Sequence, residues 1–144
     1  MNDLVQQMKV ALASTFAFYL KAHNFHWNVE GPNFPQYHAL FGDLYAEAWG
    51  AVDTIAEHIR TLDAYAPGSM SRFSELSVVR DQVNIPDVRA MLSELQNDNT
   101  KLITELDKAF KLAEAAGKSG IANFFQDRVD IHEKHGWMLR ASSK

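Results

Sequence analysis

Apolar residues recur every three or four positions over most of this chain, and this spacing constrains the fold more than any other feature. Because an α-helix has about 3.6 residues per turn, such spacing places the apolar side chains on one face of a helix. The Gly31-Pro32 pair interrupts the pattern sharply. The sequence therefore predicts four long helices, over residues 3–29, 35–63, 86–117 and 119–141.

Three of these helices carry apolar stripes that run along most of their length. In the first helix one face is formed by Val5, Met8, Leu12, Phe16, Tyr19, His23 and His26. In the second, the predicted buried residues are Phe41, Leu44, Ala48, Val52 or Ala51, Ile55, Ile59 and Leu62. In the third they are Val88, Leu92, Leu95, Asn99, Leu102, Leu106, Ala109 and Ala113. Only Asn99 interrupts the apolar character of that third stripe.

The connection between the second and third helices, residues 64–85, is long for a bare loop. Its SRFSELS segment (71–77) could form one short helix. The links between the first and second helices and between the third and fourth helices are short, and the link between the second and third is long. This is the connection pattern that an antiparallel four-helix bundle with one crossover requires. We therefore predict an all-α fold and a single domain over residues 1–144.

Composition and charge exclude several classes of protein. The chain has 144 residues, no cysteine and a net charge of −4, so disulfides, thiolate metal sites and a basic field for nucleic acid are absent. The opening residues MNDLVQQMKV lack the apolar run of a signal peptide. We expect a soluble cytoplasmic protein with no membrane partner.

Histidines and acids form the most informative pattern. The stretch HNFHWNVEGPNFPQYH (23–38) holds three of the six histidines around the helix break. On the second helix His38, Asp53 and Glu57 fall within an arc of about 100°, and the two acids are one turn apart. Imidazole and carboxylate together suit iron, zinc or manganese. The same acid spacing also occurs on solvated helix faces, so both interpretations stay open.

The length of the second helix restricts any metal site that uses both His38 and Asp53. Fifteen residues separate them, which is more than about 20 Å along a helix. They could share an ion only if a second copy packed antiparallel across a two-fold axis. Such a site would lie at a dimer interface, with two sites per dimer.

The segment HWNVEGPNFPQYHALFGDLYAEAWGAVDTIAEHI closely resembles the motif of the Dps-like mini-ferritins, the DNA-binding proteins from starved cells. The matching positions are His26-Trp27, Gly31, Phe34, His38 twelve residues after His26, and the Asp53 and Glu57 pair. The resemblance continues in FSELS of the crossover and in HEKHGWMLRA near the end. It therefore spans nearly the whole chain.

This resemblance implies a ferritin-like bundle with a short extra helix in its crossover. It implies a twelve-subunit shell that oxidises Fe(II), preferably with hydrogen peroxide or otherwise with dioxygen, stores ferric iron and protects against oxidative damage. The ferroxidase ligands would be His26 and His38 from one subunit and Asp53 and Glu57 from its neighbour. Trp27 resembles a tryptophan beside that centre that could take up radical equivalents; an aromatic interface anchor is an equally good interpretation.

One position departs from the family pattern. The family usually has an acid four residues after the second histidine, where this chain has Gly42, and Asp43 one place on points about 100° away. The second iron position should be weaker in consequence. Glycine within a helix also costs about 1 kcal/mol against alanine, with no packing reason visible in the sequence. The alternative functions are a non-enzymatic shell or nucleoid protein whose ferroxidase site Gly42 has impaired, and a binuclear or zinc site with a different metal preference.

The other histidines are weaker candidates as ligands. We interpret His58 as an outward or interface residue, and His23 as a packing residue that could also orient a ligand. His132 and His135 of the HEKH segment could bind zinc, but a polar helix face is the favoured interpretation.

The resemblance also places this last helix at three-fold pores, whose candidate residues are Asn123, Asp127, Asp130 and Glu133. We expect weak DNA binding or none, because the start of the chain has no cluster of basic residues.

Overall fold

Five helices account for most of the chain in the computed structural model, which describes residues 2–144. The helices are α1 (Asn2–Asn28), α2 (Phe34–Thr61), α3 (Met70–Leu76), α4 (Val88–Ala115) and α5 (Ser119–Ser142). α1 packs against α2, α3 and α4, and α4 packs against α5. The predicted all-α fold and the short crossover helix are confirmed, with helix ends within two residues of their predicted positions.

No helix in the described part of the chain combines the length and the hydropathy that crossing a membrane requires.

The turn between α1 and α2 depends on two left-handed backbone positions. Gly31 has φ 108° and Asn33 has φ 66°. Glycine adopts such a conformation without the steric cost of a side chain, and asparagine tolerates it better than most residues. The Phe34 N–H donates to the Gly31 carbonyl at 3.1 Å, and Pro35 lies in the first turn of α2. This tight turn brings the end of α1 beside the start of α2.

The predicted stripes of α2 and α4 lie in the core. On α2 the buried position is Ala51, while Val52 and Leu62 are half-buried. α4 begins after Asp87, whose carboxylate accepts a hydrogen bond from the Ala90 N–H at 2.9 Å and caps the helix.

The predicted apolar face of α1 lies in the core at the start of the helix but rotates away from the core toward its end. Its first residues, Val5, Met8 and Leu12, are buried. Its later residues are only half-buried, namely Phe16, Tyr19, His23 and His26. Residues spaced 3.5 apart drift by about 20° per heptad around a straight helix, so three heptads rotate the face by about 60°. The later half of this face therefore lies on the side of the bundle, against α2.

The interior of the bundle holds a polar network that joins α2, α4 and α5. Arg128 donates to both carboxylate oxygens of Glu47, and its Nη2 lies 2.9 Å from His132 Nε2. His132 Nδ1 bonds to Asn99 Oδ1 at 2.8 Å, and the Asn99 amide donates to the His132 carbonyl at 2.8 Å. Glu47 Oε1 also bonds to His135 Nε2 at 2.9 Å.

The interpretation of His132 as part of a polar helix face is therefore wrong. His132 is fully buried, and Arg128 and Asn99 are buried with it. These polar side chains occupy core positions, because their hydrogen bonds to one another offset the cost of leaving water, although Arg128 Nε has no partner among the described residues. Burial and the neighbouring Arg128 hold the pKa of His132 well below its usual value, so the ring is neutral.

Candidate metal centre

His26 and His38 meet face to face where α1 ends and α2 begins. Their ring centroids are 3.7 Å apart and the ring planes are inclined by 19°. His26 Nδ1 lies 2.7 Å from the carbonyl oxygen of His38, and His38 Nδ1 lies 2.7 Å from the carbonyl oxygen of His26. The two residues thus hold each other's rings by a reciprocal pair of hydrogen bonds.

This pairing determines which ring nitrogens are free. A carbonyl oxygen only accepts, so each Nδ1 must carry the proton and donate it. In the neutral ring, Nε2 then has a lone pair available for a metal ion. Metal-binding histidines are usually oriented by such a bond from the other ring nitrogen. The structure brings together the two imidazoles that the sequence singled out, in a form suited to metal binding.

Gly42 lies against the His26 ring. A Cβ atom built at this position would lie 3.1 Å from both Cε1 and Nδ1 of His26. That is closer than side chains normally approach, so the ring would have to move by a few tenths of an ångström. The glycine therefore has a packing role that the sequence alone did not reveal, because it leaves room for His26 on the surface of α2.

Asp53 and Glu57 are exposed on α2, distant from the histidines of their own chain. His38 and Asp53 belong to the same uninterrupted helix, which separates them by about 22 Å along its axis. Within residues 2–144, no three histidine or acidic side chains gather as a metal site would require. One chain thus presents two imidazoles at one end of α2 and two carboxylates farther along it.

Comparison with known proteins decides the family. The model of the ferritin-like domain family matches residues 5–143, nearly the whole chain. The chain belongs to the ferritin-like domain family.

Known proteins match this chain over nearly its full length. A DNA protection during starvation protein of Brevibacillus brevis is 33% identical, and the match covers 98% of each chain. The crystal structure of Dps from Staphylococcus aureus has a TM-score of 0.95 at 31% identity, covering 100% of this chain and 97% of that one. A DPS protein from Vibrio cholerae has a TM-score of 0.94 at 27% identity, covering 99% and 90%. That protein is described as a member of a superfamily of ferritin-like diiron-carboxylate proteins.

An aromatic cluster adjoins the two histidines of this Dps-like chain. We define it as Tyr19, His23 and Trp27 of α1 with Tyr45 and Trp49 of α2. His23 stacks on Tyr45 at 3.7 Å and lies 3.9 Å from Trp27, and Tyr19 lies 4.9 Å from Trp49, all between ring centroids. Burial and the nearby His26 lower the pKa of His23.

The sequence analysis considered a functional role only for His23 and Trp27 of the aromatic cluster, and placed Tyr19 on the apolar face of α1. The spacing of its other members was a usable signal, because Tyr19, His23 and Trp27 follow each other at intervals of four, as do Tyr45 and Trp49. Trp27 is 59% exposed, and its ring is therefore available to a neighbouring subunit or to solvent.

The remaining candidate histidines and the predicted pore residues lie away from the His26 and His38 pair. His58 packs against Phe124 of α5 at 4.9 Å between ring centroids, so it is a half-buried packing residue rather than an outward one. Burial lowers the pKa of His58, although Glu57 opposes the shift. His135 bonds to Glu47 instead of standing on an open polar face. The acids Asp127, Asp130 and Glu133 line a cleft of about 450 Å³ together with Asp107, whereas Asn123 is exposed and is not part of its lining.

We predict that Gly42→Ala weakens metal binding without destabilising the fold. The added Cβ displaces the His26 ring, while alanine improves helix propensity by about 1 kcal/mol, so stability changes little. Anaerobic titration with Fe²⁺ should show an affinity about tenfold lower, comparable to disturbing a ligand's orienting partner. Gly120→Ala in the first turn of α5, where a Cβ meets nothing within 4 Å, is the matched control and should bind as the parent does. Equal affinity of both variants would contradict the packing role of Gly42.

Proposed function

We propose that this Dps-like protein oxidises Fe(II) at a site shared by two subunits and stores the ferric product inside a hollow shell. The observation that carries the proposal is the reciprocal pair of His26 and His38, whose Nε2 atoms are free while the carboxylates of the same chain lie about 22 Å away. In this proposal each chain contributes two imidazoles to a metal site, and the two carboxylates come from a second copy.

A two-fold dimer completes the site. In an isologous contact, residue 38 of one subunit can face residue 53 of the other, and the reverse holds at a second position. Each site then has two imidazole nitrogens and the carboxylates of Asp53 and Glu57 from the partner subunit. This mixed nitrogen and oxygen donor set suits Fe(II) as the substrate. Two adjacent acids also favour a bound cation, because it relieves their mutual repulsion.

The protective role follows from the electron balance of the reaction. Two Fe²⁺ ions reduce one hydrogen peroxide molecule with two protons, giving two Fe³⁺ ions and two water molecules. Neither electron is left to generate hydroxyl radical. We propose hydrogen peroxide as the preferred oxidant, with dioxygen as the slower alternative, in a cytoplasmic shell of twelve subunits.

Stopped-flow oxidation of Fe(II) with peroxide tests this function. The protein should accelerate the absorbance rise of ferric iron over buffer and consume two iron ions for each peroxide. A rate equal to that in buffer would reject ferroxidase activity and favour the alternative, a shell or nucleoid protein without iron chemistry.

We predict that DNA binding is weak at moderate salt. Each chain carries a net charge of −4, and an assembly multiplies this charge, so a phosphate backbone is repelled over most of the surface. A gel-shift titration near 150 mM salt, about physiological ionic strength, should leave linear DNA unshifted. A tight shift under these conditions would show that local bases such as Arg140 and Lys144 outweigh the net charge.

A further inference from the structure

Tyr19 is the one tyrosine in the described chain whose hydroxyl bonds to a histidine. Its oxygen lies 2.9 Å from His23 Nδ1, one helical turn later on α1. With the His23 proton on Nε2, Nδ1 accepts the bond and the phenol donates it. The phenol thus lies in direct contact with a base, within the distance that proton transfer requires.

Contacting rings connect this phenol to the candidate iron site. Tyr45 lies 5.1 Å from His26 between ring centroids, and it is stacked on His23 with an interplanar angle of only 6°. Tyr19 in turn lies 6.1 Å from Tyr45. These separations are those of aromatic rings in contact. A continuous path therefore runs from a predicted iron ligand to Tyr19.

The missing side chain at Gly42 creates a need for another electron source whenever only one iron ion is bound. Where the family usually has a further acid, this chain has no side chain, so the donor set of His26, His38, Asp53 and Glu57 suffices for one iron ion. Peroxide needs two electrons, and a single Fe²⁺ supplies one. Without a second donor, the reaction ends with Fe³⁺, hydroxide and hydroxyl radical.

We propose that Tyr19 supplies the second electron to peroxide and passes its proton to His23. One Fe²⁺, the Tyr19 phenol, one peroxide and one proton from solvent give one Fe³⁺, a Tyr19 phenoxyl radical and two water molecules. The phenol O–H bond breaks, and its proton reaches water by way of His23. This inference rests on the proposed ferroxidase function and adds a redox-active residue to it.

A second Fe²⁺ restores the resting state. It donates one electron to the phenoxyl radical, which takes up one proton and becomes the Tyr19 phenol again. The sum of both steps is two Fe²⁺ oxidised for each peroxide reduced. The overall stoichiometry is therefore unchanged, and the difference from a two-iron site is a transient tyrosyl radical.

The test is Tyr19→Phe, which removes the hydroxyl and keeps the ring that packs against Tyr45 and Trp49. Protein loaded anaerobically with one Fe²⁺ per site is mixed with peroxide and frozen for electron paramagnetic resonance. In a parallel sample a spin trap measures hydroxyl radical. Tyr65→Phe, at an exposed residue of the crossover, is the matched control.

The parent and Tyr65→Phe should both give a tyrosyl signal and little trapped hydroxyl radical. Tyr19→Phe should lose the signal and trap severalfold more radical, while the first iron is still oxidised. An unchanged tyrosyl signal or an unchanged yield of trapped hydroxyl radical in Tyr19→Phe would overturn the role of Tyr19 but leave the proposed ferroxidase function standing. If the parent oxidises iron no faster than buffer, the proposed function and this inference both fail.

Discussion

His38→Ala and Asp53→Ala should each slow peroxide-driven oxidation of Fe(II) at least about a hundredfold, close to the rate in buffer. Loss of a residue that merely orients a metal ligand already costs about 10–100-fold, and these two changes remove proposed ligands themselves. Stopped-flow absorbance of ferric iron measures the rate, and circular dichroism verifies that each variant is folded. The two changes lie about 22 Å apart along α2, so an equal effect would link two places that are distant in one chain.

Asp43→Ala is the matched control for Asp53→Ala. Both aspartates are exposed on α2, and Asp43 follows Gly42, where the family usually has an acid. We expect Asp43→Ala to retain the parent's rate, because its side chain points about 100° away from position 42. A loss as large as that of Asp53→Ala would mean that Asp43 binds iron after all, and that the site holds more metal than we propose.

Glu47→Gln should lower the free energy of unfolding by about 2 kcal/mol, less than breaking a fully buried ion pair costs, because the Glu47 side chain is 32% exposed. The change leaves the Arg128 guanidinium, whose side chain is only 4% exposed, without its carboxylate. Urea unfolding at fixed protein concentration measures the difference, since the proposed assembly would make apparent stability depend on concentration. The double variant Glu47→Gln/Arg128→Met should recover much of the loss, because no unpaired charge remains. A double variant that is less stable than Glu47→Gln would contradict this explanation.

The same network predicts how stability depends on pH. Burial alone would raise the pKa of Glu47, but the hydrogen bonds from His135 and Arg128 outweigh it and lower the pKa to about 2. The folded pKa thus lies below that of the unfolded chain, so the carboxylate stabilises the fold fully above about pH 4.5. That contribution is lost as the pH falls toward 2. Between these values Glu47→Gln should unfold with a shallower pH dependence than the parent.

The sequence predicted the helices well because their apolar residues follow the helical period almost without interruption. It also predicted that the Gly31-Pro32 break lets two consecutive helices present His26 and His38 together. The polar network escaped prediction, because Arg128 and His132 resemble surface residues until Glu47 and Asn99 are known to face them. The spacing of apolar residues along one helix does not indicate which side chains of another helix will face it.

Gly42 shows a second limit of sequence reasoning. From the sequence, the glycine indicates a missing metal ligand and a loss of helix stability without a visible reason. Only the position of the His26 ring shows that the glycine makes space for a proposed ligand. Helix length alone predicts that a site using both His38 and Asp53 would need a second chain, because 1.5 Å per residue is a property of every α-helix.

The most direct test of the shared site is complementation between two inactive variants. One variant carries His26→Ala and His38→Ala, and the other carries Asp53→Ala and Glu57→Ala. Each alone lacks half of every site. In a mixed dimer, the acids of the first variant face the histidines of the second, which rebuilds one intact site out of two.

Co-expression of the two variants in equal amounts, followed by the stopped-flow assay, gives the decisive measurement. Random pairing should leave about a quarter of the sites intact, so we predict about a quarter of the parent's ferroxidase rate per subunit. If the ligands all came from one chain, neither variant could repair the other. A co-expressed mixture as inactive as the separate variants, despite proven mixing of subunits, would contradict the shared site.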